Sequence, residues 1–269
     1  MPSVSSGKNI VKSVKVCKDH VTIFFARREN IKISKEAYLS AYIYVGKSLS
    51  QKEIDSLLET TAITKLLNYA LSLISKRHYS ERKMYEKLKA KEENKHAIFQ
   101  VINKLKENDL LDDKAYMEDL IAWDDERSFG KNKIIKHLRE QGIPDNLLSK
   151  AHFSHSNELK KAKGLIPKLE RKYARYGHEN KKTHIYQALL SQGFEYDVAK
   201  EALNDVKAPK PKEELVKLKN DFEKIKNRYT KKYDGYELKQ KIYAALANKG
   251  YKHTEIKKVL EEYSNENDF

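Results

Sequence analysis

A ten-residue pattern recurs four times in this chain, at intervals of 50, 51 and 57 residues. Each copy has a basic residue, an apolar residue, a bulky apolar residue or Tyr, and a Leu four positions after the first apolar residue. A Gly follows four positions after the Leu in the last three copies. The copies begin at Lys83, Lys133, His184 and Lys241. A fixed period of this length predicts an array of packed repeats, so function is sought on an extended surface.

The pattern itself predicts the end of a helix. The apolar residue and the Leu share one helical face because they are four residues apart. Gly142, Gly193 and Gly250 stand where that helix must stop, and Gly adopts the left-handed conformation there without a Cβ clash. The first copy has Glu92 at this position, so its turn must be built differently, and Asn94 is the candidate residue. Replacing Gly193 is expected to disturb the angle between the third and fourth repeats.

Two further amphipathic stretches accompany each copy, a longer one before it and another after the turn. Each unit is thus predicted to hold three helices and about 45–55 residues, too few to bury a good core alone. The N-terminal region differs, because residues 11–16, 21–26 and 31–33 are rich in β-branched and aromatic side chains. These segments predict a small antiparallel hairpin or three-stranded meander. A helix is expected to begin within residues 34–44, with Ser34 as its cap.

The sequence accordingly predicts a mainly α fold of tandem three-helix repeats in an elongated, curved array, with a small N-terminal β-hairpin or meander. Stacking of neighbouring repeats is expected to complete the core of each one. The predicted boundaries place the β region and a connecting helix at residues 1–60, followed by repeats at 61–109, 110–152, 153–206 and 207–269.

The net charge of +15 is distributed unevenly along the chain. Residues 1–50 and 158–184 are basic zones, each with nine Lys or Arg against three acids, whereas residues 112–126 form an acidic island. This alternation fits a polarised partner, such as a nucleoprotein with charges of both signs, better than uniform coating of DNA. A solvated helix surface is the alternative explanation for any single cluster. The acidic candidates for facing a partner are Asp112, Asp113, Asp124, Asp125 and Glu126.

The basic residue that opens each copy of the pattern is a candidate for binding DNA or an acidic partner. Equivalent positions of an array lie along one face, so these four residues predict a row of cations suited to phosphates. A solvated position that tolerates Lys explains the same residues equally well. The row consists of Lys83, Lys133, His184 and Lys241, and the basic zone adds Lys160, Lys161, Lys168, Arg171, Lys172, Arg175, Lys181 and Lys182.

Signals of catalytic, metal and membrane sites are weak. The segment around Gly130 lacks the second Gly and the flanking strand of a phosphate-binding loop. His152 and His155 have no further ligands at metal spacing, so neither a metal nor a cofactor is expected. Cys17 is the single cysteine, which excludes an internal disulfide. Because no apolar run reaches membrane length and no signal peptide is evident, a cytoplasmic protein without a membrane partner is expected.

Five segments, in order along the chain, carry a resemblance to a known family. They are residues 69–81 with Arg77 before Ser80-Glu81, residues 105–113 with Leu110-Leu111-Asp112-Asp113, Arg127-Ser128-Phe129-Gly130, Leu138-Arg139-Glu140-Gln141-Gly142-Ile143, and Gly193-Phe194 with Tyr196-Asp197-Val198. In this order and spacing they resemble the RecX family, bacterial modulators of the RecA recombinase. The resemblance covers about residues 60–206, with Asp109 where the family usually has Gly. The N-terminal strands and a fourth repeat are similar to a longer variant of the family.

The resemblance implies a non-enzymatic regulator with no catalytic residues. Members of the family bind RecA filaments on single-stranded DNA and modulate, mainly by inhibition, ATP hydrolysis and strand exchange in recombinational DNA repair. Several members bind DNA directly, so double-stranded DNA is a further candidate partner, and a monomer is expected. Asp112, Asp113, Arg127 and Gly130 match recurrent positions of the family, which adds Arg127 to the binding candidates.

Two alternatives stay open at the level of sequence. The first is a free-standing helical-repeat protein that binds single-stranded nucleic acid and needs no RecA. The second, from another class, is a metal-dependent nuclease that uses the acidic island. Helix capping explains Asp112 and Asp113 without any catalysis, because acids are favoured at helix N-termini.

Overall fold

The N-terminal region folds as the predicted meander. A computed structural model describes the backbone of residues 9–266 and the side chains of residues 9–263; residues 1–8 and 267–269 of the predicted first and last domains lie outside the described residues. Strands β1 (Val11–Val16), β2 (Val21–Phe25) and β3 (Ile31–Ile33) pair antiparallel in that order. The sheet contributes Val21, Ile23 and Ile33 to the core, where all three are fully enclosed; β3 alternates buried and exposed residues, whereas β2 is buried along almost its whole length.

A short helix, α1 (Lys35–Ser40), follows β3, and Ser34 caps it as predicted. The Ala37 N–H donates to the Ser34 hydroxyl at 3.1 Å. The helix ends before residue 44, and Tyr42 has a φ of 47°, an uncommon conformation for a non-Gly residue. The sheet and α1 share one core with Leu49 and with Ile54 and Leu57 from the first turns of the next helix.

The rest of the described chain is helical and follows the predicted order of a longer helix, the pattern helix and a third helix. The helices are α2 (Gln51–Ile74), α3 (Glu81–Lys89), α4 (Lys95–Glu107), α5 (Asp113–Glu126), α6 (Lys131–Gln141), α7 (Asp145–Leu148), α8 (His155–Lys172), α9 (His178–Ser191), α10 (Tyr196–Ala202), α11 (Pro211–Tyr229), α12 (Gly235–Asn248) and α13 (His253–Glu266). None of these described helices combines the length and apolar character that a bilayer span requires.

The chain divides into two compact units that do not follow the repeat boundaries. One unit is Met1–Asp119 with Arg139–Leu147, and the other is Leu120–Leu138 with Leu148–Phe269. The second predicted repeat is therefore shared between them. Its third helix, α7, is only four residues long, so this repeat has little apolar surface of its own. The predicted boundaries of the repeats stay a proposal.

The predicted glycine stops are confirmed. Gly142, Gly193 and Gly250 have φ values of 88°, 93° and 88°, in the left-handed region that Gly tolerates best. The first copy turns without such a residue, and Asn94 instead begins α4, where its side chain accepts hydrogen bonds from the N–H groups of His96 and Ala97. In the first repeat, the N-terminal cap of α4 thus takes the place of the glycine turn.

Each glycine turn packs against the beginning of the pattern helix in the preceding repeat. The carbonyl just before each Gly accepts a hydrogen bond there: Gln141 O from Ser80 Oγ at 2.5 Å, Gln192 O from Gly130 N at 2.9 Å, and Lys249 O from Gly177 N at 2.6 Å. A Cβ added to Gly193 would lie closer than 3.0 Å to Lys133. Gly193 therefore contacts α6 of the second repeat, so its substitution is expected to disturb that junction first, and the expected change of the angle to the fourth repeat stays a prediction.

A carboxylate completes each of these three junctions. It comes from the long helix of the following repeat and accepts a hydrogen bond from the first N–H of the pattern helix. The pairs are Glu81 N to Asp113 Oδ1 at 2.8 Å, Lys131 N to Glu158 Oε2 at 2.8 Å, and His178 N to Glu214 Oε1 at 3.2 Å. Because the N-terminal N–H groups of a helix lack partners within the helix, an acid from the neighbouring repeat stabilises both the helix end and the junction.

A lysine three residues after the acid extends two of these junctions. Lys161 donates to Asp125 Oδ1 at 2.6 Å and to the Phe129 carbonyl at 2.8 Å, and it also pairs with Glu158. Lys217 likewise donates to the carbonyls of Ala174, at 2.6 Å, and Tyr176, at 2.5 Å. Burial lowers the pKa of Lys217. These lysines donate hydrogen bonds to backbone carbonyl oxygens that would otherwise have no hydrogen-bond partner inside the protein.

A buried carboxylate in the fourth repeat makes its stability dependent on pH. Asp221 accepts hydrogen bonds from Lys249 Nζ and the Tyr251 hydroxyl, both at 2.8 Å. Burial opposes the ionisation of Asp221, but these two partners outweigh it and hold the pKa of the carboxyl below its ordinary value. A lowered folded-state pKa stabilises the fold above the unfolded value, and this stabilisation is lost as pH falls through the folded value.

Asp221→Asn is therefore expected to lower the free energy of unfolding at pH 7 by about 1–3 kcal/mol. The difference from the parent should begin to shrink once pH falls below about 4, where Asp221 protonates in the unfolded chain, and should be lost as pH falls through the lower pKa of the folded carboxyl. Urea unfolding at a series of pH values measures this. Asp234→Asn is the matched control, since Asp234 is exposed and Asn is an equally good cap. A constant difference down to low pH would contradict the assigned role of Asp221.

Candidate nucleic-acid interface

A groove between α8 and α9 combines cations with an apolar floor. Leu165, Lys168, Leu169 and Lys172 lie three and four residues apart, so one face of α8 lines the groove. The opposite wall comes from α9, beginning at His184. The cavity has a volume of about 560 Å³, within the range of ligand sites in proteins.

Aromatic rings line and adjoin this groove. The His184 ring lies 5.3 Å from that of Tyr173 at an interplanar angle of 19°, and 4.2 Å from that of Tyr176. Arg175 covers Tyr176, with its guanidinium 4.8 Å from the ring and a hydrogen bond of 2.7 Å to the hydroxyl. Lys172 lies 5.2 Å from the Tyr173 ring. Cations next to stacked rings suit a strand that presents phosphates and bases alternately.

The groove lysines are available to an external anion. Lys168 and Lys172 are exposed, and neither belongs to an ion pair with an acid in the described part of the chain. Arg171 is also exposed and donates to the Pro167 carbonyl at 3.2 Å, which leaves its charge uncompensated. An anion that binds here therefore need not displace an internal carboxylate.

A second set of cations and rings adjoins the groove through Gln192. This residue lines the groove, and its Oε1 accepts a hydrogen bond from Lys133 Nζ at 3.2 Å. Lys133 Nζ lies 3.6 Å from the centre of the Phe129 ring. The guanidinium of Arg127 lies 3.6 Å over the exposed Trp123 ring and 6.0 Å from Phe129. The structure thus brings Lys133, His184 and Arg127 to one continuous surface of the second unit.

The other basic candidates are placed differently. Lys83 belongs to the first unit and pairs with Glu86 at 3.3 Å, whereas Lys241 is exposed beside Tyr233. Lys181 pairs with Glu170 at 3.8 Å. Lys161 is only 9% exposed and is held in the junction described above, which removes it from the surface candidates. Lys160 is exposed and Lys182 is half-buried on the same unit as the groove.

The acidic island does not present all of its carboxylates to solvent. Asp112 caps α5 by accepting from the N–H of Lys114 at 2.8 Å, and Asp113 caps α3. Asp124 is fully buried against His137 at 2.7 Å, so it cannot face a partner as predicted. Asp125 is engaged by Lys161, and Glu126 alone of the five candidates is exposed without a described hydrogen bond. The buried placement of Asp124 arises because α6 brings His137 against α5.

No group of three His, Cys, Asp or Glu side chains at metal-binding distance occurs among the described residues. His155 instead lies 3.0 Å from Glu201 and 4.0 Å from Asp197, both in α10. His152 is exposed. The surface best equipped for binding is therefore the α8–α9 groove, through its lysines and stacked rings.

Sequence reasoning allows Trp123 and the tyrosines to stack on bases but favours core packing for most of them, so it does not assign the aromatic part of this surface. The spacing of Tyr173 and Tyr176 within a basic run is a signal, but tyrosines at helical spacing ordinarily pack in cores. Trp123 stands at helical spacing from Tyr116 and Leu120, which predicts a place on the apolar face of its helix, yet it is 46% exposed beneath Arg127. Gln192 carries no signal of its own, because its role depends on the turn that packs it against Lys133.

Comparison with known families identifies two segments. Residues 213–260 match the profile described as RecX, third three-helix domain, and residues 67–105 match RecX, first three-helix domain. Regulatory protein RecX of Lactococcus lactis subsp. cremoris (strain SK11) is 31% identical over 243 residues, which is 88% of this chain and 90% of the relative. Regulatory protein RecX of Streptococcus thermophilus (strain CNRZ 1066) is 28% identical over 244 residues, or 88% of this chain and 93% of the relative.

Solved structures share the fold. A crystal structure of regulatory protein RecX superposes with a TM-score of 0.63 and 20% identity, covering 72% of this chain and 99% of that chain. The crystal structure of RecX from Lactobacillus salivarius gives a TM-score of 0.51 and 28% identity, covering 54% and 96%. The three-helix repeats seen here are thus an architecture already known from experiment.

Proposed function

This chain belongs to the RecX family of regulatory proteins, and we propose that it binds RecA filaments on single-stranded DNA and restrains their ATP hydrolysis and strand exchange. The observation that carries the proposal is the α8–α9 groove, where unpaired Lys168 and Lys172 adjoin the rings of Tyr173 and His184. A filament on single-stranded DNA offers phosphates and bases together with protein, which matches a surface of this composition.

Repetition supports a filament as the partner. A partner that repeats its own surface can be contacted by several repeats of the chain at once. Each added contact then acts at high effective concentration, so weak single contacts sum to firm binding. The groove supplies one such contact, and Lys241 in the fourth repeat and Lys83 in the first are exposed enough to supply others.

Addition of this chain to RecA filaments is expected to inhibit the DNA-dependent ATPase at substoichiometric to equimolar ratios. The chain alone should hydrolyse no ATP. The assay is phosphate release from preformed filaments, repeated with increasing single-stranded DNA. If the filament is the target, the chain will inhibit at concentrations well below those needed to cover the single-stranded DNA, so sequestration of the strand cannot explain the inhibition. An unchanged RecA rate at saturating chain would refute the proposal.

A free-standing single-stranded nucleic-acid binder is the second candidate, and the cation–aromatic groove favours it as well, because such a surface needs no second protein. The two candidates separate in the same assay. A protein that only sequesters DNA will inhibit RecA by removing its cofactor strand, so excess DNA will restore the full rate. Pull-down of RecA with and without DNA and a slowly hydrolysed ATP analogue gives an independent answer.

A further inference from the structure

A second cavity, in the first unit, gathers three lysines around an apolar floor. It has a volume of about 430 Å³ and runs along one face of α2, where Leu58, Ala62, Leu66 and Tyr69 recur at helical spacing. Its cations come from three elements: Lys32 from β3, Lys65 from α2 and Lys91 from the turn after α3. Three lysines from separate elements thus converge on one apolar surface.

The three lysines are exposed and uncompensated. Among the described ion pairs none includes Lys32, Lys65 or Lys91, and Lys91 Nζ lies 5.4 Å from the Tyr69 ring. Glu92 is the acid of the lining, and its Oε1 accepts a hydrogen bond from the Asn94 N–H at 3.1 Å. The carboxylate is held by the turn, so the cavity keeps a net positive charge that favours an anionic ligand.

The position of this cavity within the repeat is informative. Lys91 and Glu92 stand where later repeats have Gln141-Gly142, Gln192-Gly193 and Lys249-Gly250. Those later turns are covered by the pattern helix of the preceding repeat, which bonds to the carbonyl before each Gly. The equivalent turn of the first repeat borders the cavity, because the sheet rather than a three-helix repeat precedes it. The position that the preceding repeat fills at the later turns is therefore an open, basic cavity at the turn of the first repeat.

We propose that this cavity binds a nucleotide unit of single-stranded nucleic acid. Lys32, Lys65 and Lys91 hold its phosphates, and its base packs on Tyr69 and the exposed edge of Leu58. The volume suits one nucleotide, and a ring next to a cation is a stacking platform that tolerates any base. The inference deepens the proposed function, since it rests on the nucleic-acid side of it and adds a contact on the first unit to the groove on the second.

An acidic peptide is the competing ligand, and the side-chain chemistry disfavours it. Carboxylates are held best by the planar fork of Arg, whereas lysines act as point charges suited to phosphate oxygens. The cavity contains lysines and no arginine in its lining. A flat apolar floor with a Tyr ring also matches a base better than an extended acidic segment.

The test uses the full-length chain and a labelled oligo(dT), with anisotropy recorded over a range of salt concentrations and no RecA present. Lys65→Gln/Lys91→Gln should weaken binding about tenfold at low salt and lower the slope of log affinity against log salt by about 1.4, or 0.7 for each lost phosphate contact. Lys52→Gln/Lys89→Gln removes the same charge from exposed positions of α2 and α3 outside the cavity, so it should leave affinity within about twofold.

Two further arms make the outcome decisive. Poly-glutamate of matched charge should compete weakly with the oligonucleotide; if it binds tightly and loses affinity in Lys65→Gln/Lys91→Gln, the ligand is an acidic protein segment and the proposal fails. Equal oligonucleotide affinity for the two double variants also overturns it. Inhibition of the RecA ATPase, measured in parallel, reports on the proposed function separately, because failure there with intact oligonucleotide binding leaves this site standing.

Discussion

Gly193→Ala is expected to lower the free energy of unfolding of the second unit by about 3 kcal/mol. Two effects combine. The left-handed backbone, with a φ of 93°, costs a residue with a Cβ roughly 1–2 kcal/mol, and overpacking typically costs about 1–3 kcal/mol more. The added Cβ would meet the Cβ and backbone nitrogen of Lys133 closer than 3.0 Å, and the backbone cannot rotate away as a side chain would. Melting followed by circular dichroism should show a fall of about 6–12 °C.

Two other glycines isolate the causes. Gly130 has no left-handed backbone, yet its Cβ would meet the backbone of Gly193 and Phe194 closer than 3.0 Å, so Gly130→Ala tests the steric cost alone. Gly164 in α8 has nothing within 4 Å of an added Cβ, and Gly164→Ala should instead stabilise the helix by about 0.5–1 kcal/mol. Parent-like melting of Gly193→Ala would show that the junction yields without cost.

The helices were predictable because their signals are local. A four-residue apolar spacing followed by Gly determines both the buried face and the stop, so α6, α9 and α12 end where the pattern ends. The meander was predictable from the β-branched and aromatic residues that are concentrated in β1, β2 and β3, which is also a local signal. What the pattern could not reveal is the partner of each turn, since periodicity identifies a buried residue without saying which repeat buries it.

The acids at the junctions between repeats follow a second periodicity, which the sequence contains but the ten-residue pattern does not include. Glu158 and Lys161 in α8 have the same spacing as Glu214 and Lys217 in α11, at equivalent positions of consecutive repeats. Aligning the long helices as well as the pattern helices would have exposed this second periodicity. Its meaning still requires the tertiary structure, because an Asp or Glu in a first turn is ordinarily explained by its own helix.

Asp124 and Trp123 show what helical periodicity alone cannot predict. The apolar spacing of α5 placed Trp123 toward the core, but the structure buries its neighbour Asp124 and leaves the Trp half-exposed under Arg127. His137 provides the partner that makes a buried carboxylate tolerable, and it lies 13 residues away in α6. A polar pair of this kind reverses the apparent face of a helix, and only three-dimensional packing reveals it.

Charge reversal in the α8–α9 groove is expected to have the largest effect on binding. Lys168→Glu/Lys172→Glu should weaken binding to single-stranded DNA and to RecA filaments by about 2–3 kcal/mol at low salt, or roughly 30- to 150-fold. Each reversal replaces an attraction to phosphate by a repulsion. The slope of log affinity against log salt should fall by about 1.4, because two phosphate contacts are lost.

The matched control is Lys224→Glu/Lys257→Glu, which makes the same change of net charge at exposed positions of α11 and α13. Long-range electrostatics alone should weaken its binding only slightly, and 150 mM salt should largely abolish that loss, because exposed charges beyond a Debye length of about 8 Å are screened. Circular dichroism must be unchanged for both variants. A groove variant with the parental salt slope would assign Lys168 and Lys172 to an ordinary solvated surface. If the control variant loses as much affinity as the groove variant, the total charge of the chain determines its binding to the strand. The position of these lysines beside Tyr173 and His184 would then contribute nothing specific.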